Sequence, residues 1–235
     1  FAVCFSGVIG FGAWRLQTPL DATPTVRVAA LNNPADLPDK FFEGCGARDD
    51  FACRTAKARA RWERLFADSS KAVRDGAKVV VWYEAAAQYD EHDEAEFIAR
   101  AKAFAREHAI HLVVGAASVP RNPRALLENK AMLFTPDGAL ALTYHKAVPV
   151  PGEPIAPGDG RIGTLDTPFG RLGVMICFDA DFPALSRQAA ARGVDILVVP
   201  ANDWREITPL HGEMVRFRAL ENGFSVVRAA SNGLS

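Results

Sequence analysis

The feature that most constrains this chain is the alternation of short apolar runs with amphipathic helical segments. Residues 26–31 and 78–82 (Lys78-Val79-Val80-Val81-Trp82) read as strands. Residues 55–75 between them read as a helix, with Trp62, Leu65, Phe66, Ser69 and Val73 on one face and Gly76 as the stop. The pattern repeats. A helix over 93–108 turns Phe97, Ile98, Ala101, Phe104 and Ala105 inward, and a strand follows over 111–116. Later come a helix over 183–192, a strand over 195–200, a helix over 209–221 and a last strand over 224–230. Alternating units of this kind predict an α/β fold with parallel strands covered by helices. Two hairpins interrupt them: 130–135 with 139–146 around Pro136-Asp137-Gly138, and 163–167 with 172–178 around Pro168-Phe169-Gly170. The sheet is therefore expected to be mixed, or split into two packed sheets.

At 235 residues, 49% of them apolar, the chain can bury a full core. Lys and Arg number 27 against 28 Asp and Glu, with no basic stripe, which argues against a nucleic-acid partner. Leu31-Asn32-Asn33-Pro34 after the first strand is no Gly-rich phosphate loop, so nucleotide binding loses its main support. No CxxC or HExxH occurs, and His108 and His111 have no ligand at metal spacing, so neither a metal nor a cofactor is expected.

Residues 1–14 are uncharged and mostly apolar, and Arg15 follows them. Fourteen residues fall short of the roughly 20 that a span needs. They read either as the exit half of a transmembrane helix or as an apolar segment of a soluble protein. Residues 15–25, with Pro19 and Pro24, read as a linker, and 26–235 as the folded domain. The chain stops just after a strand, so it reads as a fragment at both ends. Cys45 and Cys53 share a polar loop, where their spacing permits a disulfide in an oxidising compartment or two free thiols.

In open α/β sheets reactive groups gather beyond the carboxyl ends of strands. Three strand ends here carry chemistry: Tyr83-Glu84, His145-Lys146 and Cys177-Phe178-Asp179. Acyl transfer needs a nucleophile, a base that also protonates the leaving group, and a positive group where the oxyanion develops. Cys177, Glu84 and Lys146 match those needs in turn. Each alone is an ordinary core, cap or surface residue. The signal is their shared topological position. A Cys–His arrangement is weaker. His145 is adjacent to Lys146, and consecutive strand residues point to opposite faces. His211 falls on a helix face and reads as a pocket-lining or capping group.

The segments Trp82-Tyr83-Glu84, Tyr144-His145-Lys146 followed by Pro149-Val150-Pro151-Gly152-Glu153, and the run from Gly173 through Cys177 to Pro183 resemble the three signature segments of the nitrilase, or carbon–nitrogen hydrolase, superfamily. Towards the C-terminus, Pro200-Ala201-Asn202-Asp203-Trp204, the Pro209–Gly223 stretch with His211, and Val227 to Ser235 resemble the apolipoprotein N-acyltransferase branch. The resemblance implies an α-β-β-α sandwich with Glu84, Lys146 and Cys177 as catalytic triad. It implies Glu153 as a supporting carboxylate, the Phe178 N–H as second oxyanion donor, and Asn202, Asp203 and Trp204 at the pocket rim. It further implies a phospholipid acyl donor, a lipoprotein amine acceptor, and a catalytic domain outside the bacterial inner membrane, tethered by the segment at 1–14.

Two departures stand out. The branch's Cys-Tyr-Glu is Cys177-Phe178-Asp179 here, closer to the soluble amidases, and Pro151 replaces the aromatic that often precedes Gly-Glu. A membrane-tethered amidase acting on a small amide, with water as acceptor, therefore remains beside the acyltransferase. A non-catalytic ligand-binding domain is a third reading, disfavoured by the intact triad.

Overall fold

The Val-rich runs pair into two sheets. The computed structural model describes residues 2–17, 25–32, 44–45 and 50–232. The first sheet has strand order β1-β2-β4-β5-β6, built from β1 (Val28–Leu31), β2 (Val79–Trp82), β4 (His111–Val119), β5 (Glu128–Phe134) and β6 (Leu140–His145). A short strand β3 (Ala87–Asp90) pairs in parallel with the far end of β4. The second sheet has the order β10-β9-β8-β7, from β7 (Thr164–Thr167), β8 (Gly170–Val174), β9 (Ile196–Ala201) and β10 (Ser225–Ala230). Pairing is parallel for β1/β2, β2/β4, β8/β9 and β9/β10 and antiparallel within the β4/β5/β6 and β7/β8 sets. Both hairpins form as expected.

Strand alternation sorts the side chains into two cores. On one face of the first sheet Val79, Val81, Val113 and Leu133 meet Leu172, Val174, Leu197 and Val199 of the second. On its other face Val80, Trp82, Leu112, Val114 and Met132 are covered by helices α2 (Phe51–Arg74) and α3 (Glu94–His108). Trp62, Phe66, Phe97 and Phe104 fill this layer, with the Trp62 and Phe97 rings 5.0 Å apart. Helices α4 (Pro183–Ala191) and α5 (Thr208–Asn222) add Ala189 and Val215 to the second sheet's core. The result is the expected mixed α/β sandwich.

Several expectations are corrected. The apolar lead forms α1 (Ala2–Gln17), so the helix runs through Arg15 into the segment read as linker, most of which lies outside the described residues. Val3, Phe5, Val8, Ile9, Phe11 and Trp14 are exposed on it. No helix among the described residues is long and apolar enough to cross a membrane. Cys53 lies in the first turn of α2 and not in a loop, because the Asp50 side chain accepts the Cys53 N–H at 3.0 Å and starts the helix early. Cys53 is disulfide-bonded to Cys45, with Cα atoms 5.8 Å apart. Strand β3 has only a weak sequence signal, since the alternating Ala-Gln-Tyr-Asp is four residues long and holds no β-branched residue. It exists because β4 extends past Ala116 and offers it a partner. Strand β8 ends at Val174, so Cys177 is not a strand residue. It opens a 3-10 turn over Cys177–Asp181.

Gly115 lets the first sheet place Glu84. A Cβ there would lie 2.1 Å from the Tyr83 carbonyl oxygen and 2.8 Å from the Glu84 Cα. Both are backbone atoms and cannot turn aside. Gly115→Ala is expected to cost about 1–3 kcal/mol in chemical denaturation, typical of overpacking, and to displace Glu84. A variant as stable and as active as the parent would contradict this. Intact mass should rise by about two daltons on reduction as the Cys45–Cys53 bridge opens, and an unchanged mass would contradict that pairing.

Candidate active site

Glu84 follows β2 and crosses to the second sheet. Its backbone N–H donates to the Ala201 carbonyl at 3.4 Å, and Oε2 accepts the Asn202 N–H at 2.8 Å. Oε1 accepts from Asn129 Nδ2 at 2.7 Å and from Lys146 Nζ at 2.9 Å. Ala85 next to it has φ 54°, a left-handed conformation that costs an alanine energy and turns the chain away from the strand direction.

Lys146 comes directly after β6 and has no exposed surface. Its backbone is held on both sides: the N–H donates to the Asn129 carbonyl and its carbonyl accepts the Gly158 N–H, each at 2.8 Å. The ammonium donates to Glu84 and to Glu153 Oε2, both at 2.9 Å. Glu153 Oε2 is itself fixed by the Val150 N–H at 2.9 Å. Burial works against the charge, but Glu84, the neighbouring Cys177 and Glu153 outweigh it and hold the lysine protonated well above its ordinary range. His145 is exposed, on the opposite face from Lys146.

Cys177 is 5% exposed and has φ 43°. The strained turn is held by Asp179, whose carboxylate accepts N–H groups from Val148 at 2.8 Å, Ala147 at 3.3 Å and Ile176 at 3.3 Å, and the Tyr144 hydroxyl at 2.9 Å. Asp179 thus ties the loop after Lys146 to the residue before Cys177. Burial lifts its proton affinity to about 6 despite these donors. Burial, then the charge of Glu84, pushes the Cys177 thiol well above its ordinary value, against the pull of Lys146. The thiol is therefore neutral at rest, and a base has to remove its proton.

A cavity of about 240 Å³ lies beside this cluster, lined by Glu84, Gln88, Asn129, Glu153 and Asn202 together with apolar groups such as Leu127 and Ile155. Of the residues expected at the rim, Asn202 lines this cavity and Trp204 is exposed. Asp203 and His211 lie deeper, beside Cys177. They are 2% and 4% exposed and hydrogen-bond each other at 3.0 Å, because paired charges can be buried where single ones cannot. Phe178 stacks edge-on against Phe182, with ring centroids 5.2 Å apart.

The donor atoms of Cys177, Asp203 and His211 lie within 4.8 Å of one another, close enough to share a metal ion, which sequence spacing did not show. Both His211 nitrogens already face carboxylates, so a cation would have to displace a ring proton. Sequence reasoning also missed Asn129, Asp181 and Arg228. They sit in or beside recognisable segments, but only the fold brings their side chains to these partners.

The carbon–nitrogen hydrolase family profile matches residues 44–234. The chain is 36% identical to an apolipoprotein N-acyltransferase of Geobacter metallireducens, over 97% of this chain and 46% of that protein. It is 33% identical to an omega-amidase of Homo sapiens, over 61% of this chain and 55% of that protein. The chain thus spans about half the length of these curated relatives. Its fold is shared with a carbon–nitrogen hydrolase of Helicobacter pylori (TM-score 0.65, 22% identity, 76% of this chain and 70% of that one). It is also shared with an amidase of Nesterenkonia sp. (TM-score 0.67, 21% identity, 87% and 75%). With the family's profile matched across most of its length and its fold shared, the chain belongs to the carbon–nitrogen hydrolase, or nitrilase, superfamily.

Proposed function

We propose that this chain is the catalytic domain of an N-acyltransferase that works through a Cys177 thioester, with Glu84 as base and Lys146 as oxyanion stabiliser. The observation that carries this reading is the buried Lys146 ammonium shared by Glu84 and Glu153 beside a neutral, buried thiol. Such an arrangement supplies a carboxylate for the proton and a fixed positive charge for the oxygen. Glu84 takes the thiol proton as sulfur attacks the acyl carbonyl carbon. The tetrahedral oxyanion is met by Lys146 and the Phe178 N–H. The intermediate collapses to a thioester, and Glu84 returns the proton to the leaving oxygen or nitrogen. In the second half the acceptor attacks the thioester, Glu84 takes its proton, and sulfur leaves. Glu153 holds Lys146 in place, and Asn202 borders the substrate cavity.

The acyltransferase is preferred because the likeness to the Geobacter protein runs over 97% of this chain. A phospholipid would be the acyl donor and a lipoprotein amine the acceptor. The exposed apolar face of α1 supports a membrane tether at the start of the chain, ahead of a catalytic domain over 26–235. The Cys45–Cys53 disulfide supports an oxidising, extracytoplasmic location. The second reading, an amidase with water as acceptor, is favoured by Cys177-Phe178-Asp179 and by the omega-amidase likeness.

Incubation with phospholipid and no acceptor should leave an acyl group on Cys177, read by peptide mass spectrometry. An adduct from small amides alone would select the amidase. No adduct from either, with ligand still bound, would overturn the catalytic reading. Lys146→Met should slow acylation by about 10²-fold or more, the loss expected for one oxyanion donor. Glu84→Gln should stall it, and an unimpaired rate in either variant would contradict the assigned roles.

A further inference from the structure

The proposed chemistry uses the side of the sulfur that faces Glu84 and Lys146. A second charged cluster lies against the same sulfur and has no part in it. His211 is brought to Cys177 by α5 and has a carboxylate on each ring nitrogen: Asp181 Oδ2 at 3.0 Å from Nε2 and Asp203 Oδ1 at 3.0 Å from Nδ1. A neutral imidazole has one N–H and can satisfy only one of these acceptors, whereas the imidazolium satisfies both. The other oxygen of Asp203 accepts from Arg228 on β10. The Asp203 carbonyl accepts from Asn232 Nδ2 at 2.7 Å, which fixes the backbone beneath the carboxylate. The Cys177 thiol faces the very oxygen that His211 holds, with Sγ 3.8 Å from Asp203 Oδ1.

We propose that His211 is a positioning residue for Cys177: held as an imidazolium between Asp181 and Asp203, it fixes the carboxylate that accepts from the thiol and cancels that carboxylate's charge beside the forming thiolate. The physical need is plain. Proton transfer to Glu84 creates a negative sulfur within van der Waals reach of Asp203. An uncompensated carboxylate there would oppose that step, as any like charge does. Two anions, Asp181 and Asp203, are balanced by two cations, His211 and Arg228. The other charges facing the sulfur are Glu84 and Lys146, themselves paired. The inference rests on Cys177 being the nucleophile.

The hydrogen bonds to Asp181 and then Asp203 raise the proton affinity of His211 to about 9, against the effect of burial. Its folded value thus lies above the ordinary 6.5. Stabilisation from this cluster is present in full below about pH 6.5 and is lost as pH rises through about 9.

The test is the pH dependence of acrylamide addition to Cys177, followed by peptide mass spectrometry in the parent chain, His211→Gln and Asp181→Asn. Cys4, an exposed free thiol, serves as internal control, and Cys45 and Cys53 are bonded to each other. Below about pH 9, where His211 is charged, the rate at Cys177 should fall about tenfold in His211→Gln, and the difference should close as pH rises through about 9. The rate should fall less in Asp181→Asn, which keeps the imidazole and loosens its charge, while the rate at Cys4 does not change. Turnover should fall about tenfold in His211→Gln with KM nearly unchanged. Folded variants with the parent's Cys177 rate below about pH 9 would overturn the proposal, and if His211→Gln does not fold, Asp181→Asn decides. A parent chain that forms an acyl adduct on Cys177, with no loss of rate in the variants, overturns this inference alone. A parent chain with no such adduct overturns the nucleophile as well.

Discussion

The site depends on one buried charge. Lys146 has no contact with solvent, and an isolated ammonium in that position would cost several kcal/mol. Glu84 and Glu153 reduce that cost at 2.9 Å each, and they come from different parts of the chain. Glu84 is in turn held by Asn129 from its own sheet and by the Asn202 N–H from the other. Meeting the lysine's needs therefore fixes the carboxylate, the loop carrying Glu153 and the alignment of the two sheets. Removing one partner would leave an unpaired buried charge, worth about 3–5 kcal/mol in comparable sites.

Asp179 and Asp203 do the corresponding work around the sulfur. Asp179 draws the backbone after Lys146 onto the turn that presents Cys177. Asp203 faces the thiol and is kept ionised, because His211 and Arg228 outweigh the burial that opposes it. The thiol thus lies between two compensated charge clusters. One holds Glu84 and Lys146, and the other holds Asp203 and His211. Strain at Cys177 and Ala85, both in left-handed conformations, is tolerated because these bonds over-determine the two turns.

Much of this was legible in the sequence. Period-2 and period-3.6 patterns located the long helices, the Val-rich strands and both hairpins, because those elements bury one face against a core. The positions of Glu84, Lys146 and Cys177 after strand-like runs pointed to one shared edge, and alternation foretold that His145 turns outward. What was not legible depends on tertiary partners. Strand β3 exists only as a neighbour for β4, and Cys177 leaves its strand only because Asp179 closes the turn. Asp203 read as a rim residue and His211 as a pocket-lining or capping group, since nothing local reveals that Asp181 and Arg228 arrive from other elements to pair with them.

The central claim is that Glu84 and Lys146 act on Cys177 as one hydrogen-bonded unit. A double-mutant cycle on the acylation rate, with Glu84→Gln, Lys146→Met and the pair together, tests it most directly. The account predicts strong non-additivity, with the double variant scarcely slower than the worse single one. Losses that multiply, as for two independent groups, would contradict it.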